Sequence, residues 1–428
     1  MTEALLHFIW QHQHFSKNQV LTVAGEPLHI LNAGLYNTNA GADFSGAIVQ
    51  IGDIRWSGCV EIHKKSSDWN AHKHTQDAAY NNVILHVVWQ HDHDVLRQDG
   101  TVIPTLELQS RVSEAWLQKC QQLMDAPHSP IPCASQLSQI EPIHLRSALD
   151  HALMQRVESK AEKVLEWLQQ NGNDWEETTY WLLMQNMGFK TNAEPMLALA
   201  QNLPLKYLRK HGNQRLLLES LFFGAGGWLR SAMPDDSYQI LLKKEYDYLA
   251  HKYELQNKTL EASYWKFLRM RPANFPTVRL AQMAAIVQQN PHLFSLLLEC
   301  TTVAELKAFL RVPVSEYWQT HYNFGKASSK PVPQLGDESL NNIMLNTAVP
   351  LLVAYGRYHE QPQWIEKAIG WLENLPAEKN NITALWEDAT KTKLLNAADS
   401  QASIEQYKQF CLPKKCLQCQ IGYRLLRQ

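Results

Sequence analysis

The hydrophobic pattern of this chain changes period part-way along, which excludes any uniform all-β or all-α fold. Residues 17–110 read as short strands, VLTVAG, LHILNAG, AIVQIG, IRWSGCVEIH, VILHVVW and TVIPTLEL, punctuated by Gly, Asn and Asp. From about Leu137 onward, apolar residues recur at three- and four-residue spacing, as in LRSALDHALMQRVESKAEKVLEWLQQ, the pattern of helices with one face on a core. The expectation is an α+β protein: an N-terminal mixed β-sheet domain over 1–125, a proline-bearing linker at 126–142, and a large, mostly α-helical domain over 143–428. With 428 residues and 45% hydrophobic content, the chain has the apolar mass for two or three such cores.

A formal net charge of −2 excludes a globally basic nucleic-acid binder, so any such site must be a local patch. The start, MTEALLHFIWQHQHF, lacks the basic region and apolar core of a secretory signal, and no apolar run reaches membrane-spanning length. A soluble cytoplasmic protein with no membrane partner is expected. Seven cysteines in so long a chain do not make a disulfide framework and point instead to metal binding or buried thiols.

Residues 41–80, GADFSGAIVQIGDIRWSGCVEIHKKSSDWNAHKHTQDAAY, gather carboxylates, histidines and lysines between apolar strands. Asp43 opens one strand, Glu61 lies late in the next, and Gly52-Asp53 marks the turn between them. Strand periodicity puts Glu61, His63 and Lys65 on one face. A two-residue turn would set Asp43 opposite Ile62, a three-residue loop opposite His63, and a bulge offers another route to the shared face. Converging carboxylates can hold Mg²⁺ or Mn²⁺, with a neighbouring base or cation orienting water. A second constellation, His72, His74 and Asp77, follows on a polar interval at 71–82 that suits a short helix. It has the donor types for Zn²⁺ or Mn²⁺, and equally those of a hydrogen-bonded loop capping the sheet. His86, His91 and His93 read as polarity at a sheet edge and loop.

This arrangement resembles the PD-(D/E)XK nuclease superfamily, with Ala42-Asp43 in place of Pro-Asp and Glu61-Ile62-His63 in place of Glu-x-Lys. Lys65 stands two residues beyond the missing lysine, and Gln76 and Tyr80 are similar to the Gln-x-x-x-Tyr element of RecB-type members. The resemblance implies a nuclease-like core and divalent-metal-dependent phosphodiester hydrolysis of DNA or RNA. In it Asp43 and Glu61 would hold the metal, His63 or Lys65 would act on water or charge, and Gln76 and Tyr80 would position the strand. A non-catalytic binding module on a degenerate core and a His-rich hydrolase of a small phosphorylated substrate, with His63, His72, His74 and Asp77 as metal ligands, are the competing expectations. Over nearly its whole length the chain resembles a bacterial family catalogued as domain of unknown function 2851, through GADF, WSGCVEIH, SSDWNAHKH, AYNNVILHVV and RMRPANFPTVRLAQ. That family implies no activity.

In the helical part, Arg269, Arg271 and Arg279 surround an Asn-Phe-Pro break and are candidate phosphate-backbone contacts, with structural salt bridges as the alternative. At the C-terminal side, Cys411, Cys416 and Cys419 can bind Zn²⁺ or one edge of an iron–sulfur cluster, with a fourth ligand among Cys59, Cys120, Cys133, Cys300 or a histidine.

Overall fold

In the computed structural model, which describes residues 1–37, 40–124, 129–230 and 236–427, the chain forms two compact units. One comprises Met1–Ala148 with Tyr407–Gln428, the other Leu149–Gln406. The mixed α+β composition and the order of sheet before helices follow the sequence pattern. The cysteine-bearing segment, assigned from sequence to the helical domain, belongs instead with the first unit. Residues 126–128 of the expected linker lie outside the described residues.

The first unit opens with helix α1 (Glu3–Gln11), capped where the Thr2 hydroxyl accepts a hydrogen bond from the Leu5 amide at 3.3 Å. Its apolar face buries Leu5, Leu6, Phe8, Ile9 and Trp10 and leaves His7 half-buried. The sheet has six strands: β1 (Leu28–Asn32), β2 (Leu35–Tyr36), β3 (Phe44–Ile51), β4 (Ile54–Lys65), β5 (Val83–Gln90) and β6 (Thr105–Glu107). They run in the order β1-β3-β4-β5-β6, with β2 also on β3. β1, β3 and β4 form an antiparallel meander, whereas β5 and β6 run parallel to their neighbours. VLTVAG makes no strand: Gly25 takes φ +84° and the Leu21–Pro27 bridge closes a tight turn there.

Burial along β4 explains where chemistry can sit. Its first half is exposed, then Val60, Glu61, Ile62 and His63 are all buried, so both faces of the strand are covered over that stretch. Gly58 permits the approach to β5, because a Cβ there would meet the Asn82 carbonyl oxygen at 2.5 Å. The expected short helix at 71–82 is three single turns, helix α2 (Asp68–Ala71) and 3₁₀ turns at His74–Gln76 and Ala78–Tyr80.

The second unit is helical around one large apolar core. The helix Pro276–Gln289 is buried from Pro276 to Val287, which identifies it as a central helix with no solvent face over that span. Among the described residues, no helix is long and apolar enough to cross a membrane.

Candidate metal and carboxylate site

Register brings the two carboxylates together. The turn at Gly52-Asp53 is the two-residue kind, pairing Ile51 with Ile54, and Ala47 pairs with Gly58. Carried on unbroken, that register would set Asp43 opposite Ile62. Instead, one bulge between Phe44 and Ala47 makes Phe44 the partner of Val60, and Gly46 occupies it at φ +69°. Asp43 and Glu61 then meet. The Asp43 amide donates to Glu61 Oε2 at 3.0 Å, and the Ile62 amide donates to Asp43 Oδ2 at 2.9 Å. From α1, His7 Nε2 reaches Asp43 Oδ2 at 3.3 Å.

The other oxygen of Glu61 faces imidazoles. Oε1 lies 3.4 Å from His74 Nε2 and 3.7 Å from His63 Nε2, and His63 Nε2 lies 3.1 Å from His72 Nδ1. His63, His72 and His74 each offer a ligand atom within 4.8 Å of the others, a spacing that one metal ion can bridge. His74 Nε2 is buried and, despite the nearby carboxylate oxygen, makes no hydrogen bond. An orphaned imidazole nitrogen aimed among two other imidazoles and a carboxylate fits a cation.

The loop after β4 fixes these rings. Lys65 N–H donates to Asp68, while Ser66 and Ser67 both bond Asp92, anchoring the loop at its start. Trp69 is buried and donates to Thr75, whose hydroxyl donates on to the Leu96 carbonyl. Lys73 takes φ +62°, reversing the chain between His72 and His74 so that both rings turn toward His63. Tyr80 stacks on His74 with ring centroids 3.8 Å apart. Behind the site, His86 is fully buried on β5, and its Nε2 lies 2.9 Å from His63 Nδ1.

Burial dominates the electrostatics. It pushes the Glu61 carboxyl up to about 8, helped by the Asp43 charge and opposed by the Asp43 amide. Burial first, then the neighbouring imidazoles, hold His63 down to about 4 and lower His74. His86 is driven well below the usual imidazole range, again mainly by burial. His63 and His74 therefore keep free lone pairs at neutral pH, the state a metal requires.

The remaining sequence candidates are placed less centrally. Lys65 lies at the exposed end of β4. Gln76 and Asp77 are exposed, and the Asp77 carboxylate caps a turn by accepting from the Ala79 amide. Arg279 is a correction: it is 2% exposed inside the second unit, bonded to Gln282, Asn274 and Ser339 and set over the Phe189 ring, so it cannot present charge to a polymer. Arg269 and Arg271 are exposed. Cys411, Cys416 and Cys419 are buried in the first unit. His86 also departs from its reading as edge polarity, since β5 lies between β4 and β6. Its signal was a lone imidazole inside the continuous apolar run VILHVVW; for His7, on an apolar helix, the sequence carried none. Beside His7, a cavity of ≈ 640 Å³ is lined by Tyr36, Tyr423, Lys414, Lys415 and Gln418 among others.

A family model described as "Protein of unknown function (DUF2851)" matches residues 3–381. No curated protein and no solved structure matches the chain.

Proposed function

Given that the chain belongs to the DUF2851 family of proteins of unknown function, we propose that it is a divalent-metal-dependent hydrolase of phosphodiester bonds in DNA or RNA. The observation that carries this reading is the convergence of His63, His72 and His74 within 4.8 Å of one another beside the buried Glu61 carboxylate. The donor set would hold the ion through those three imidazoles and Glu61, and its nitrogen content favours Mn²⁺ or Zn²⁺ over Mg²⁺. A bound ion would supply Lewis acidity and a more acidic water. Asp43, which is 23% exposed and 3.3 Å from His7, would take the proton of that water, with His7 passing it to solvent.

The choice of a phosphodiester is supported by strand order. A helix, antiparallel strands, short helical turns and a parallel strand, with Asp43 just before β3 and Glu61 on the adjacent β4, are similar in order to the core that the sequence resemblance to PD-(D/E)XK nucleases implies. His7 or Lys65 would stand in for the lysine absent at position 63. The burial of Arg279 removes one expected polymer contact. The ≈ 640 Å³ cavity, of small-molecule size, favours a second reading in which the substrate is a small phosphorylated compound held by Lys414 and Lys415.

One experiment tests both. Purified protein is incubated with labelled single- and double-stranded DNA and RNA, and with a panel of nucleotides and phosphodiesters, under Mn²⁺, Zn²⁺, Mg²⁺ or EDTA. Metal-dependent polymer cleavage lost in Asp43→Asn and His72→Ala is the expected result. Turnover confined to small substrates selects the second reading, and no metal-dependent turnover of either class overturns both.

A further inference from the structure

The cavity beside His7 lies wholly within the first unit, walled by residues of α1, β2 and the returning segment Tyr407–Gln428. None of its lining residues is an Asp or Glu, whereas Lys414 and Lys415 both line it. Both lysines are exposed, and among the described residues neither ammonium has an ion-pair or hydrogen-bond partner. The turn that carries them is braced. The Lys415 amide donates to the Phe410 carbonyl at 2.8 Å, the Lys414 amide donates to the Cys411 carbonyl at 3.1 Å, and Lys414 takes φ +54°. The following helix, Gln420–Arg427, packs directly on this turn, because a Cβ at Gly422 would meet the Cys416 carbonyl oxygen at 2.1 Å. Trp116 Nε1 ties that helix down by donating to the Leu426 carbonyl at 2.8 Å. Two ammonium groups on a braced turn, with no carboxylate in the wall, suit an anion carrying more than one charge.

The rest of the wall is aromatic and amide. Tyr36 is 41% exposed and is supported by Phe44 and His7, each with its ring centroid 5.3 Å away. Tyr423 is half-buried and packs on His12 at 4.4 Å and on Phe8 at 6.0 Å. Rings supported in this way are stacking platforms for a planar heterocycle. The exposed amides of Gln11 and Gln418 line the same space and offer the paired donor and acceptor that can read a base edge. A sugar phosphate would leave the rings unused, and an uncharged aromatic compound would leave both ammoniums without a counter-charge.

We propose that this cavity binds a nucleoside monophosphate, free or as the phosphorylated end of a strand, with its phosphate on Lys414 and Lys415 and its base on the Tyr36 ring. A volume of ≈ 640 Å³ accommodates a ligand of that size. His7 belongs to both places, since it lines the cavity and its Nε2 lies 3.3 Å from Asp43 Oδ2. The role of the bound nucleotide rests on the hydrolase reading: it specifies which phosphodiester is presented to the metal site.

The test uses the full chain in EDTA, so that binding is read apart from turnover. Calorimetric titrations compare the nucleoside 5′-monophosphates, the matching nucleosides, inorganic phosphate, and 5′- and 3′-phosphorylated oligonucleotides. At least one monophosphate should bind about 10-fold or more tightly than its nucleoside and than inorganic phosphate. The double variant Lys414→Gln/Lys415→Gln and the single variant Tyr36→Ala should each weaken it by about 10-fold or more, whereas His72→Ala should leave it unchanged. Tighter binding of a phosphorylated oligonucleotide than of the monophosphate assigns the cavity to a strand end, and the reverse assigns it to a free nucleotide. No monophosphate binding by the wild type overturns the proposal. So does a nucleoside or inorganic phosphate that binds as well as the monophosphate, or full affinity in the soluble lysine variant. Nucleotide binding without metal-dependent turnover upholds the cavity and removes the hydrolase; turnover without nucleotide binding does the opposite.

Discussion

His86 stands behind His63 with ring nitrogens 2.9 Å apart and no exposure to solvent. If His63 Nε2 faces a metal, its Nδ1 must carry the proton and donate it to His86 Nε2, which fixes the ring's tautomer and direction. Replacing His86 by Phe keeps most of the ring volume and removes the acceptor. Metal affinity, measured by titration with Mn²⁺ or Zn²⁺, should fall by about 10- to 100-fold. Unchanged affinity in a folded variant would show that the pair is structural only.

The proton on Glu61 gives the metal-free protein a pH dependence. Its carboxyl, raised to about 8, binds a proton in the folded state that the unfolded chain releases above 4.5, so this group removes stability as pH rises from 4.5 to about 8. His63, lowered to about 4 from 6.5, acts oppositely, adding stability as pH rises through that lower range. Above pH 6.5 only the Glu61 effect remains of these two. Melting temperatures of EDTA-treated protein should fall between pH 6.5 and 8, and Glu61→Gln should flatten that decline. Metal binding near pH 7 should release close to one proton, seen by calorimetry in buffers of different ionisation enthalpy; equal slopes in wild type and variant would refute the assignment.

Gly46 decides which face Asp43 occupies. Valine there would have to adopt φ +69°, a left-handed conformation costing about 1–2 kcal/mol, although a Cβ meets nothing within 4 Å. Deleting Gly46 removes the bulge yet keeps Asp43 opposite Glu61 and serves as the control, whereas Gly46→Val favours the unbroken register, which sets Asp43 opposite Ile62. The expected outcome for Gly46→Val is a folded sheet with metal-dependent turnover abolished, while the imidazole trio still binds metal. Circular dichroism and metal titration distinguish this from general unfolding.

Glu219 offers a test remote from this chemistry. Burial raises its pKa, and its Oε2 accepts from Tyr238 Oη at 2.6 Å and from Trp318 Nε1 at 3.0 Å within the second unit. Glu219→Ala strands both donors and should destabilise by about 1–3 kcal/mol for each left buried without a partner. Denaturant unfolding should register the loss, and metal binding at the histidine trio should be unaltered.

The strands that frame the site were legible because alternation and apolar runs mark β3, β4 and β5 directly. The meeting of Asp43 with Glu61 was legible only as a condition, since it depends on a one-residue bulge that hydrophobic pattern does not encode. His72 and His74 stood out by composition, and the reading as a His-rich hydrolase grouped them with His63 and Asp77. Joining them takes the backbone reversal at Lys73, which no spacing rule conveys. Arg279 misled for a related reason: a guanidinium after a Pro-initiated helix turn reads as an anion site whether it faces water or, as here, a ring and three neutral polar groups.

The return of Tyr407–Gln428 to the first unit sets an order for biosynthesis. Every residue of Leu149–Gln406 leaves the ribosome after the sheet strands but before this last segment of their unit. The first unit therefore lacks Cys411, Cys416 and Cys419 until the helical unit has been synthesised. A translational pause or proteolytic nick between the two would leave a nascent sheet domain without its closing segment, and such a chain is a natural client for chaperones.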